Sequence, residues 1–147
     1  HPAVGYHAMN AGLKTLLEES GCSCVIANGG VVRQFHRRGV ADLLGLLHDE
    51  PEFLRGAEIA DKVVGKGAAA LMILGGIKEI YAAVLSKKAS ELLSLYPVEY
   101  SCGTMVDGII NRQGTGPCPV EALCAECSTA EECLPLIEKF VSSLNNK

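Results

Sequence analysis

The order of elements along this 147-residue chain predicts an α/β sandwich built on a mixed β-sheet. Asn28-Gly29-Gly30 separates two β-prone runs and supplies the positive φ angles of a tight turn, so the first two strands are antiparallel. Further on, strand–helix–strand spacing calls for crossovers between parallel strands. The composition agrees. Apolar residues make up 48% of the chain and aromatics 5%, with no Trp, which suits close packing of helices on a sheet.

Each element has its own signal. Leu13, Leu16 and Leu17 at helical spacing, with Gly21 as a stop, predict a first helix from about Gly5 to Ser20. Cys24–Ala27 and Val31–Phe35 are the hairpin strands. Val40, Leu43, Leu44 and Leu47 mark a short amphipathic helix over Gly39–His48, ended before Pro51. The stretch from Gly56 to Leu71 reads as one small-residue helix. Its apolar face is Ile59, Ala60, Val63, Val64, Gly67, Ala68 and Leu71, its polar edge is Glu58, Asp61, Lys62 and Gly65, and Gly75-Gly76 ends it.

Lys78–Leu85 is apolar on both alternating faces, as a buried strand requires. Ser86 is placed to cap a helix from Lys87 to about Tyr96, which Pro97 breaks. Val98–Thr104 is the next strand, Asn111–Pro119 a loop rich in Gly and Pro, and Thr129–Leu144 the last helix. The length predicts one domain over 1–147, with a Cys-rich helical tail over about 117–147.

Charge and hydropathy narrow the partners. A net charge of −4 argues against a nucleic-acid binder. Arg33, His36, Arg37 and Arg38 form the densest basic run, which reads as a solvated strand end, with a phosphate or RNA contact as the competing reading. No apolar run reaches the ~18 residues that span a bilayer, so no membrane partner is expected. His1-Pro2-Ala3-Val4 carries neither a charged leader nor a long apolar segment, and the cytoplasm is the expected location.

Ile59-Ala60-Asp61-Lys62-Val63-Val64-Gly65-Lys66, running into Ala68-Ala69-Ala70-Leu71, together with Ile110-Asn111-Arg112 and Cys118-Pro119-Val120-Glu121, resembles the domain of unknown function 1893 family. That family is similar in fold to cytidine deaminases, and the likeness spans roughly Leu13 to Glu121. The resemblance implies a three-layer α/β sandwich, a nucleoside- or nucleotide-shaped pocket and, since such folds commonly oligomerise, a homo-oligomer. It also implies where zinc chemistry would sit. Zinc deaminases place a His or Cys before Ala-Glu at a helix start and a Pro-Cys-x-x-Cys pair at the next crossover helix, with the Glu shuttling protons. Here Gly56 takes the ligand position of Gly56-Ala57-Glu58, and Ser86-Lys87-Lys88-Ala89 carries no thiol. Zinc-dependent deamination is therefore not expected, and whether the chain is an enzyme stays open.

Several residues remain as ligand-binding candidates. Glu58 reads either as a surviving general acid/base or as the i, i+4 helix partner of Lys62. Lys62 and Lys66, one helical turn apart, would be reconciled by an anion, with Asp61 accepting from a ribose hydroxyl; a solvated helix face is the alternative. Asn111 and Arg112 offer an amide and a guanidinium fork. Ser86 opens a helix whose N–H groups suit an anion, or simply caps it. Seven cysteines are present, and Cys118, Cys124, Cys127 and Cys133 fall within sixteen residues. Free thiols, with Cys118 as a reactive one, compete there with a disulfide and with zinc on those four. No other cofactor is expected. The function this predicts is binding of a nucleotide or nucleotide-derived ligand. The alternatives are an enzyme of unknown reaction using Lys62 or Cys118, and an oligomerising interaction module.

Overall fold

A computed structural model describes residues 12–37, 40–110, 114, 116 and 118–145. Helix α1 covers 12–20. It is followed by β1 (Cys24–Asn28), β2 (Val31–Phe35), α2 (Ala41–Asp49), α3 (Pro51–Leu54), β3 (Glu58–Val64), α4 (Lys66–Gly75), β4 (Glu79–Ser86), α5 (Lys87–Leu93), β5 (Glu99–Val106), α6 (Pro119–Cys124) and α7 (Ala130–Asn145). The five strands form one mixed sheet in the order β2-β1-β3-β4-β5. β1 pairs antiparallel with β2 and with β3, whereas β3, β4 and β5 run parallel.

Two apolar clusters show how helices flank the sheet. On one face Leu13 and Leu17 of α1 pack on Val25, Ala27, Ala60 and Tyr81. On the other, Ile26, Ile59, Ile80 and Ala82 meet Leu43 of α2, Leu71 and Met72 of α4, Leu92 and Leu93 of α5, Cys124 of α6 and Ile137 of α7. The small side chains Ala68, Ala69 and Ala70 let α4 lie close against the strands, and all three are buried. The mixed sheet flanked by helices is the predicted fold class.

The hairpin forms as predicted, with Asn28 paired to Val31 across the turn. Ser86 caps α5, its hydroxyl accepting from the Ala89 N–H at 3.1 Å.

The single helix over Gly56–Leu71 is overturned. Glu58–Val64 is the central strand β3, and helix begins only at Lys66. β-branched Ile59, Val63 and Val64 favour the pleated conformation. A strand covered on both faces shows no clean alternation, so its apolar run imitates a buried helix. Gly56, at φ +74°, turns the chain into the strand. The Asn111–Pro119 loop is also one residue too long. Pro119 starts the short helix α6, where its missing N–H costs nothing.

Candidate functional site

Where β3 gives way to α4 the chain passes through Gly65, and the α4 N–H groups point outward from a ten-residue helix. The Lys66 N–H donates to Glu121 Oε2 at 2.7 Å, across 55 positions of sequence. Gly65 is needed for this approach, because a Cβ there would run into Glu121 Oε2. Glu121 is buried at 5% exposure, and among the described residues its Oε1 has no hydrogen-bond partner. A carboxylate carried by α6 is thus seated on the start of α4, where the helix dipole favours negative charge.

Beside it opens a cavity of about 820 Å³, within the ~300–1,000 Å³ range of small-molecule sites. Its apolar wall comes from Ile26 of β1, Leu43 and Leu46 of α2, Val120 of α6 and Phe140 of α7. Its polar groups are Ser23, Cys24, Asp42, Asp61, Lys62, Cys118 and Glu121, with His36 and Arg37 at the exposed rim.

Asp61 is half-buried in the wall, across the β1–β3 ladder from Cys24. Loss of solvent pushes its carboxyl up to about 7, against the opposing pull of the Val63 and Lys62 N–H groups. The Val63 N–H reaches Asp61 Oδ1 at 3.3 Å. Burial, and after it the Asp61 charge, raises the Cys24 thiol. Asp42 is already paired, its Oδ1 lying 2.7 Å from Arg37 Nη2.

The strand-for-helix correction redistributes the candidates. Glu58 sits at the far, amino end of β3 and does not pair with Lys62; Lys78 Nζ lies 3.9 Å from its Oε2. Lys62 and Lys66 do not share a helix face. Lys62 is exposed on β3 at the cavity edge, while Lys66 is buried and its ammonium donates to the carbonyls of Ala125 (3.1 Å) and Cys127 (2.5 Å). Ser86 is fully buried with its hydroxyl engaged in the cap. Asn111 and Arg112 lie outside the described residues. Among the described residues of the predicted set, Asp61, Lys62 and Cys118 line the cavity.

Two members of the basic run are engaged within the chain. Arg33 Nη1 pairs with Glu50 at 3.0 Å and its guanidinium lies over the Phe35 and Phe53 rings, while Arg37 holds Asp42. Arg38 lies outside the described residues.

All seven cysteines are free. Cys118 precedes the first turn of α6 and Cys124 ends that helix, which separates them by roughly 9 Å at 1.5 Å per residue. Among the described residues no group of three or more His, Cys, Asp or Glu side chains is disposed to hold a metal. Cys124 and Cys133 are buried in the core, where their thiols hydrogen-bond to each other, lowering the Cys124 thiol against the effect of burial. No helix among the described residues is long and apolar enough to cross a membrane.

Glu121, Cys24 and Asp42 escape the sequence reading. For Glu121 a signal exists: Cys118-Pro119-Val120-Glu121 puts Pro at N1 and Glu at N3, the pattern of a helix start.

Sheet, flanking helices and cleft together define a mixed-sheet α/β protein with a cavity at the carboxyl end of its central strand. The chain belongs to the family described as Domain of unknown function (DUF1893), which matches residues 12–141. It is similar to a solved DUF1893 family protein from Thermotoga maritima, with a TM-score of 0.80 and 24% identity over 89% of this chain and 88% of that one. At that identity the likeness carries the fold alone. No curated protein matches the chain.

Proposed function

We propose that the chain binds a small nucleotide-derived molecule in the cavity between α2, α4, α6 and the β1–β3 face. The observation that carries this reading is a ligand-sized cleft with an apolar wall and a few converging polar groups, among them the half-buried Asp61, whose carboxyl is raised by loss of solvent. The mixed sheet with its two parallel crossovers is compatible with the cytidine deaminase-like architecture that the family resemblance implies.

In that reading the first zinc ligand falls at the start of α4, not at Gly56. The residues there are Gly65, Lys66, Gly67 and Ala68, and those opening α5 are Ser86, Lys87, Lys88 and Ala89. None offers an imidazole or a thiol, so the donor set does not fit zinc and no hydrolytic step is derived through it. The test is a thermal-shift screen of the purified protein against nucleobases, nucleosides and nucleotides. At least one member is expected to raise the melting temperature by several degrees. A uniform absence of shift overturns the reading.

Cys118 on the cavity wall favours one second reading, an enzyme with a thiol nucleophile. Selective alkylation of Cys118, with the buried Cys124 and Cys133 untouched and activity lost, is what that reading predicts.

A further inference from the structure

We infer that Cys124, Cys127 and Cys133 form a peroxide-reactive thiol site, in which Cys127 is oxidised first and Cys133 then closes a disulfide. None of the three lines the cavity, so the site stands apart from whatever the cavity holds.

Two short-range devices bring the sulfurs together. Past the end of α6 the Cys127 N–H donates to the Cys124 carbonyl at 3.0 Å, a single turn that holds the two residues close. At the start of α7 the Thr129 hydroxyl accepts from the Glu132 N–H at 3.2 Å, and the Glu132 carboxylate accepts from the Ser128 N–H at 2.7 Å. This variant of the capping box fixes how the chain enters α7 and sets Cys127 beside its first turns. Cys133 lies there, its thiol 3.5 Å from the Thr129 carbonyl and within hydrogen-bond reach of both Cys124 and Cys127. The buried Lys66 ammonium holds the same turn through the carbonyls of Ala125 and Cys127. Burial, and after it the Cys133 thiol, raises the Cys127 thiol, while the Lys66 charge opposes that rise and favours the reactive thiolate.

Exposure orders the chemistry. Cys124 and Cys133 are at 0% exposure and Cys127 is half-buried, so a small peroxide meets Cys127 first. The Cys127 thiolate attacks one peroxide oxygen. The S–O bond forms, the O–O bond breaks, and the departing hydroxide leaves as water with the proton that the thiol released. Cys127 is now a sulfenic acid. Cys133 attacks its sulfur, the S–S bond forms, the S–O bond breaks, and a second water leaves with the Cys133 proton. Two thiols are oxidised and one hydrogen peroxide is reduced to two waters. The Cys124 thiolate can then attack Cys133 and release Cys127, so either disulfide contains Cys133.

The test uses the reduced full chain and one equivalent of hydrogen peroxide. Remaining thiols are alkylated in denaturant, and the protein is digested with a protease that cleaves after Glu. Cuts at Glu121, Glu126 and Glu131 or Glu132 place Cys124, Cys127 and Cys133 on separate peptides. Mass spectrometry should find Cys133 joined to Cys127 or to Cys124, with five of the seven free thiols left to alkylate. Cys127→Ser should slow the cross-link about ten-fold or more. Cys133→Ser should leave Cys127 as a sulfenic acid that dimedone labels. The wild type and the half-buried Cys127→Ser decide the matter if Cys133→Ser fails to fold. A wild-type chain with no cross-link to Cys133, or a Cys127→Ser chain that cross-links as fast as wild type, overturns the inference. So does a folded Cys133→Ser chain in which dimedone leaves Cys127 unlabelled.

Discussion

The two ends of β3 pose the same problem and answer it differently. At the amino end Glu58 is buried at 4% exposure with Oε1 unpartnered among the described residues, and at the carboxyl end Glu121 is buried at 5% in the same condition. Glu58 faces the Lys78 ammonium across 3.9 Å, and the hollow beside it measures about 70 Å³, room for little more than water. Glu121 receives a backbone N–H only and stands beside about 820 Å³. The two ends differ in the space that opens beside the carboxylate, not in how deeply it is buried. Burial raises the Glu58 carboxyl, with the Lys78 charge opposing and Glu79 adding to the rise, so Glu58 answers its surroundings by holding its proton more tightly.

The comparison is broken most forcefully at the glycines. Gly65→Ala places a Cβ against Glu121 Oε2 and forces that carboxylate off the Lys66 N–H. Chemical denaturation should show a loss of about 2–3 kcal/mol, together with loss of the thermal shift given by the best ligand of the screen. Gly56→Ala meets no atom within 4 Å but must adopt φ +74°. It should cost about 1–2 kcal/mol of strain and leave ligand affinity unchanged. Equal effects of the two on binding would erase the distinction between the ends.

Titration of Asp61 is the next largest effect. Its carboxyl is raised from 3.8 to about 7, so the folded chain binds a proton that the unfolded chain releases between those values. The sign follows: the favourable contribution is full below about pH 4 and is lost as pH rises through 7. The titratable neighbour facing it from β1 is Cys24, itself raised by burial, while β4 presents Ala82. Asp61→Asn should remove this decline, gaining about 1–3 kcal/mol on wild type between pH 5 and pH 8 in urea melts.

The smallest effect belongs to the amino end. Glu58→Gln removes one long ion pair to a half-exposed lysine, for about 0–1 kcal/mol, and the ligand-induced thermal shift should not register it.

Sequence alone reaches the hairpin, the amphipathic α2, the capped α5 and the last helix because their signals are local: Asn-Gly, a leucine stripe, Ser before a helix. It loses β3 for a physical reason. The first half of this central strand, Glu58–Ala60, is buried on both faces and has no period to detect, and a helical reading puts Glu58, Lys62 and Lys66 onto one imaginary face. Asp61 survives the correction because it keeps its place beside the cavity on strand as on helix. Glu121 was hidden differently, since its partner Lys66 lies 55 residues away and only packing of α6 on α4 joins them.

A crystal structure of the protein grown with the best ligand of the thermal-shift screen tests the central claim most directly. The account predicts density in the cavity at the carboxyl end of β3, a polar group of the ligand within hydrogen-bond distance of Asp61 or Lys62, and Glu121 still on the Lys66 N–H. A ligand bound beside Glu58, or one that displaces Glu121 from the start of α4, would contradict it.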